Sequence, residues 1–209
     1  MSRLISTLGL GVLLAACQTT ASPPARSPSP SHHNTAATAV IQQGEVPGGL
    51  TVCPGSGPIA GYITTMQATD AALAARLSDQ WKQLQAKGAT AGAITLYVYD
   101  PTACKAELAA TSSTKSLASF VAEFADEGQA DRAWGAGVLG FPTPAPDQVA
   151  PGIARGTGTG LGVSSWTYTS PQVRLACWRR SVFVSLAIFS NLDAGAYKAV
   201  TAAIDARLN

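Results

Sequence analysis

Residues 8–16 form an unbroken apolar or glycine run behind a lone positive charge at Arg3, and the run ends on Cys17. Crossing a bilayer takes roughly 20 apolar residues, so this run is too short to span and fits the h-region of an export signal. That constrains the fold in two ways. A domain delivered outside the cytoplasm can use disulfides to hold its loops. It must also fold from the chain that follows the signal. Ala15 and Ala16 are small enough for the narrow pockets of a signal peptidase.

Leu14-Ala15-Ala16-Cys17 resembles the lipobox of bacterial lipoproteins. Charge, apolar run, small pair and cysteine occur in the same order, within the first 17 residues. The resemblance implies a signal peptide over residues 1–16, diacylglycerol on the Cys17 sulfur, cleavage before Cys17 and acylation of the new amino terminus, palmitate included. Gln18 stands where an aspartate would retain a lipoprotein at the inner membrane. The expected location is therefore extracytoplasmic, lipid-anchored at the outer face of the membrane or at the outer membrane. Two or three acyl chains hold a protein on a bilayer where one does so marginally.

Residues 17–45 are rich in Ser, Thr, Pro and Ala and almost lack large apolar side chains. Such a segment buries too little surface to offset its ordering entropy, and it reads as a disordered tether. His32 and His33 read as solvated residues within it. Residues 46–209 are then a single extracytoplasmic domain, long enough for a real core. A net charge of +2 is too small to argue for a nucleic-acid partner.

Cys53, Cys104 and Cys177 remain, an odd number, so one thiol stays unpaired if a bridge forms. Cys53 lies in the loop-like Cys53-Pro54-Gly55-Ser56-Gly57, and Cys104 follows the turn-like Asp100-Pro101-Thr102-Ala103. Loop cysteines adjust to disulfide geometry, so the expected bridge is Cys53–Cys104. Cys177 falls in a strand pattern and reads as a buried free thiol.

Ile59, Tyr62, Ile63 and Met66 fall at helical spacing, although Thr64 and Thr65 oppose a helix there. Leu73, Leu77, Trp81 and Leu84 form one helical stripe, with Thr69 or Asp70 able to cap it and Gly88 able to close it. Arg76, Asp79, Lys82 and Gln83 fall off the stripe. A strand carries Ile94, Leu96 and Val98 on one face and Thr95, Tyr97 and Tyr99 on the other. A second runs from Ser116 to Phe124. Asp126 is placed to cap a helix through Ala130, Ala133 and Trp134 that stops near Gly135 and Gly137. Residues 141–162, rich in Pro and Gly, read as one long connection, of a kind that is often functional. Three strands follow, through Trp166 and Tyr168, through Val173, Leu175 and Cys177, and through residues 182–189. Val182, Val184, Leu186 and Ile188 share one face of the last, with Phe183, Ala187 and Phe189 opposite. Arg179 and Arg180 are expected at the turn between the last two strands, and a terminal helix near Asp193 carries Ala196, Val200, Ala203, Ile204 and Leu208.

Strand, phenylalanine and alanine-rich helix recur around Phe124 and Phe189, a weak β-β-α repeat. The expected fold class is α+β, an antiparallel sheet of about five strands with helices packed on it. The valine-rich hairpin with its basic turn, and the helix ending Ile204-Asp205-Ala206-Arg207-Leu208, faintly resemble small bacterial surface lipoproteins and extracellular sensor domains of the Mog1/PsbP-like kind. That resemblance covers about the last 45 residues and implies fold alone.

The familiar catalytic patterns fail on context. No histidine occurs from Val46 onward, which removes the usual Ser-His and Cys-His pairs and His-based zinc motifs. Gly156-Thr157-Gly158-Thr159-Gly160-Leu161-Gly162 has Leu161 where the third fingerprint glycine belongs and precedes a strand. Ser112-Ser113-Thr114-Lys115 matches Ser-x-x-Lys but also precedes a strand. Glu123, Asp126, Glu127 and Asp131 could supply paired carboxylates, but they read better as a helix cap and acids near a helix start. Arg174, Arg179 and Arg180 read as a solvated hairpin. No metal or cofactor is expected.

The expected function is a non-enzymatic binding or sensor-like module, held at the membrane by Cys17. It would take an apolar small molecule or an envelope protein on a surface that includes Phe141, Trp166 and Tyr168. A carboxylate hydrolase without histidine and a purely structural envelope component are the alternatives.

Overall fold

A computed structural model describes residues 34–105, 113–147 and 150–208. The lipobox with Cys17, the histidines His32 and His33, and Ser112 lie outside the described residues.

The fold is α+β. Its strands are β1 (Thr51–Val52), β2 (Gly57–Pro58), β3 (Ala89–Val98), β4 (Ser116–Phe124), β5 (Ile153–Arg155), β6 (Ser165–Thr169), β7 (Val173–Arg180) and β8 (Phe183–Ser190). They form one sheet in the order β1-β3-β4-β8-β7-β6-β5, with β2 also paired to β3. All pairings are antiparallel. Among the described residues the sheet has eight strands rather than about five, because β1, β2 and β5 are two or three residues long. Runs that short carry no readable alternation.

Helices cover both faces. Helices α2 (Ile59–Thr69), α3 (Ala71–Ala86) and α4 (Glu127–Ala136) pack with Ile94, Leu96, Val98, Phe120 and Val184. Helices α1 (Ala36–Ala39) and α5 (Ala194–Arg207) pack on the other face with Tyr97, Leu117, Val121, Phe183 and Phe189. Every residue of β8 is therefore buried, which explains why both of its alternating sets are apolar. Val182 departs from its expected set. It lies in the turn after Ser181, whose φ is +47°, and it packs on the face opposite to Val184. Arg179 and Arg180 close β7 rather than forming that turn.

The expected tether over residues 17–45 requires correction in its described part. Thr35 caps α1, and Ala36, Ala39, Val40 and Ile41 are at most 2 % exposed. The Ala36 N–H donates to Glu123 Oε2 at 3.3 Å, and the Ile41 N–H to Ser119 Oγ at 3.0 Å. Arg207 of α5 donates to the carbonyls of Ala39 and Val40 and pairs with Glu45. Burial pushes the Glu45 carboxyl up, but the Arg207 side chain, the Gln42 N–H and the Arg207 charge together hold it below its usual range. The packed domain thus begins by Thr35, ahead of Val46. Small alanines hide this in the sequence because each contributes little apolar area.

The capped helices match their sequence signals. Asp70, Asp126 and Asp193 accept from the N–H groups of Leu73, Gln129 and Ala196. Thr64 and Thr65 fit within α2 by donating to the carbonyls of Ala60 and Gly61. Trp81 is only half-buried. Its ring lies on Gly92, where a Cβ would come within 2.8 Å of it.

The β-β-α repeat is one of order and not of layer. Asp126 follows Phe124 by two residues, and Asp193 follows Phe189 by four. Phe124 faces the α2–α4 layer and Phe189 the α1–α5 layer, each beneath the helix that follows it. Residues 141–162 are not a bare connection, since they include β5 and a 3₁₀ turn over Gly156–Thr159. The hydroxyls of Thr159 and Ser165 donate to the Gly156 carbonyl, so the glycine-rich stretch is a hydroxyl-laced turn.

Candidate functional site

Of Phe141, Trp166 and Tyr168, the first and last are partly buried and Trp166 is buried, all in or against one cluster. Trp166, 5 % exposed, belongs to the core on the α2–α4 face, with Tyr168 packed against the same cluster. Trp166 stands opposite Cys177 across the β6–β7 ladder. Phe141, in the turn that follows α4, packs against that cluster too.

That turn builds a site. Helix α4 ends at Gly137, whose φ of +98° suits glycine. Val138 and Phe141 then exchange backbone hydrogen bonds of 3.0 and 2.9 Å. The two residues between them, Leu139 and Gly140, have φ of +46° and +81°, as a tight two-residue hairpin turn requires. A leucine in that region costs about 1 kcal/mol. Burial of the Leu139 side chain, 5 % exposed, offsets this. Gly140 allows a close approach, because a Cβ there would lie 2.6 Å from Gln80 Nε2.

Between this turn and the end of α3 lies a cavity of about 270 Å³. Helix α3 supplies Gln80, Leu84 and Lys87 to it, together with Gln83. The spacing of Gln80, Leu84 and Lys87 puts them on one helical face. Leu139, Phe141 and Pro142 line the other side, and Ala136 and Gly137 bring in the C-terminal end of α4. Gln80 Oε1 is buried and accepts no hydrogen bond. A buried acceptor left unmade costs about 1–3 kcal/mol. The lining therefore combines amide side chains, an ammonium and apolar groups, while Gln80 Oε1, fully buried, is not presented to the cavity.

A second concavity of about 390 Å³ lies against the disulfide, lined by Val52, Pro54, Met66 and Pro101 among others. Cys53 and Cys104 are joined as expected, with Cα atoms 5.5 Å apart. The chain after Cys104 runs into residues 106–112, outside the described residues.

The remaining candidate residues have local partners. Glu123 accepts the Ala36 N–H, and Asp126 caps α4. Asp131 pairs with Arg179 at 3.2 Å, and Asp205 with Arg180 at 2.8 Å. Arg174 donates to the Leu192 carbonyl. The hairpin arginines are thus partly buried and engaged with their neighbours. Glu127 lies in the first turn of α4. Cys177 is fully buried and unpaired, and burial pushes its thiol well up. Among the described residues no group of three His, Cys, Asp or Glu is placed to hold a metal ion. No helix of the described residues is long and apolar enough to cross a membrane.

Of the cavity residues, the sequence singled out Phe141 as a surface candidate, and it read Leu84 as core, Gly137 as a helix stop and Gln83 as lying off the stripe. Gln80 and Lys87 carry no sequence signal that separates them from a solvated helix face. No protein-family model, curated protein or solved structure matches this chain.

Proposed function

We propose that this chain is a lipid-anchored extracytoplasmic binding module that takes a small ligand between the end of α3 and the Leu139–Gly140 turn. The observation that carries the reading is the cavity of about 270 Å³ itself, walled by the polar side chains of Gln83 and Lys87 on one side and the apolar ones of Leu139 and Phe141 on the other. A cleft of that mixed lining suits a small ligand with one polar and one apolar face. The anchoring half of the reading rests on Leu14-Ala15-Ala16-Cys17. The Cys53–Cys104 disulfide supports an oxidising location.

The test is a thermal-shift screen of the full chain in detergent micelles against amino acids, sugars and fatty acids, repeated with Ala136→Trp. Ala136 lines the cavity and is exposed, so a tryptophan there fills the space without entering the core. Ligands of the cavity raise the melting temperature of the wild type and leave the variant unmoved. A screen that shifts nothing, or shifts that persist in the variant, overturns the reading.

A further inference from the structure

We infer that Arg155 holds an oxyanion, a phosphate or carboxylate group carried by a small molecule or by a lipid headgroup. The site shares no lining residue with the cavity at the end of α3 and does not depend on it. Arg155 closes β5 and is half-buried. It lines a concavity of about 290 Å³ with Pro146, Gly156, Val163 and Ser165, and it is the one charged residue of that lining. Its guanidinium makes no hydrogen bond and no ion pair among the described residues. The arginines two strands away, on β7, are matched instead, Arg179 by Asp131 and Arg180 by Asp205.

Burial makes the missing partner matter. Nη1 is enclosed and unmade, and a charge drawn out of water without a partner is costly. The protein side offers no relief. Arg155 stands opposite Trp166 across the β5–β6 ladder, so the two side chains share a face. The Trp166 indole N–H is also buried without an acceptor, which leaves that face with donors in excess. Ser165 commits its hydroxyl to the carbonyls of Gly156 and Gly162. Asp147, which follows Pro146, is exposed and makes no ion pair with Arg155. The countercharge therefore comes from outside the domain. Nε and Nη2 have no partner either, but they are not enclosed as Nη1 is, so one edge of the guanidinium stays open. Its N–H groups are spaced for two oxygens of one phosphate or carboxylate. A neutral ligand leaves the charge unbalanced and an ammonium is repelled, so the lone cation selects an anion. The enclosed Nη1 also restrains the guanidinium, so less freedom is lost on binding.

The experiment uses the isotope-labelled full chain in neutral detergent micelles at constant ionic strength. The readout is the NMR shift of the Gly156 and Val163 backbone amides. The probes are inorganic phosphate, acetate and phosphatidylglycerol mixed into the micelle, with chloride as the control. Melting temperature would mislead here, because phosphate stabilises folded proteins by exclusion from their surfaces. Phosphate or acetate is expected to saturate the shifts with a Kd on the order of 1 mM, where chloride gives no saturation. Arg155→Gln is expected to weaken binding about tenfold or more. Arg155→Lys keeps the charge but loses the two-point edge, and a weakening of about threefold is expected; it decides the matter if Arg155→Gln fails to fold. Arg132→Gln removes an exposed arginine elsewhere and is expected to change nothing. A phosphatidylglycerol response that Arg155→Gln abolishes identifies a headgroup as an accepted source. A response to the soluble anions alone identifies a small molecule. The inference is overturned if no anion saturates the shifts below about 10 mM, or if folded Arg155→Gln binds unchanged. Saturation seen only in Asp147→Asn overturns it too, since Asp147 is then the partner in solution. Ala136→Trp fills the other cavity and is expected to leave the anion response intact, so the two sites stand or fall separately.

Discussion

Tyr62 shows how one atom sets a pH limit on the domain. Its side chain is fully buried on the inner face of α2, and its hydroxyl has no partner among the described residues. Burial disfavours the phenolate and pushes the phenol up to about 12, from an ordinary value near 10. Between those values the unfolded chain releases this proton and the folded chain keeps it. Stability then falls with rising pH, by about 1.4 kcal/mol per unit for this group. Cys177, whose buried thiol is also pushed up, acts with the same sign at alkaline pH. Tyr62→Phe removes an unsatisfied hydroxyl without changing the ring. It is expected to raise stability at pH 7 by about 1 kcal/mol and to flatten the loss between about pH 10 and 12. Urea midpoints at pH 7 and pH 11 measure both, and a lower midpoint at pH 7 would show that the hydroxyl is satisfied after all.

At the scale of elements, the sharpest consequence concerns α1 and the residues after it. The burial of Val40 and Ile41 together stabilises the domain by about 3–5 kcal/mol. Removing the segment also strips Arg207 of Glu45 and leaves Ser119 without the Ile41 N–H. A chain truncated to begin at Val46 is therefore expected to lose about 3–5 kcal/mol in urea, whereas one beginning at Asn34 keeps full stability. Equal midpoints would return residues 34–45 to the tether. This segment marks the limit of what the sequence makes legible. Helices α3, α4 and α5 stand out because an aspartate cap and a periodic apolar face agree. Strands β4, β7 and β8 stand out because they are long enough to alternate. Helix α1 does not, since Thr35 and a few alanines look like linker until the sheet beneath them is seen. Gln80 and Lys87 are invisible for a related reason. Their meaning comes from the Leu139–Gly140 turn, more than fifty residues later in the chain, and no local pattern encodes that meeting.

At the scale of the whole molecule, the proposed anchor at Cys17 is open to a test separate from that of the cavity. Cys17→Ala removes the only sulfur that the lipobox resemblance would acylate. Incorporation of labelled palmitate is expected to vanish and the protein to leave the membrane fraction. The disulfide and the core of the described residues lie within residues 36–208, so the unfolding midpoint should stay within about 0.5 kcal/mol of the wild type. Palmitate retained by Cys17→Ala would refute the lipid site. A large fall in stability would show that the domain draws on contacts from the segment before Asn34.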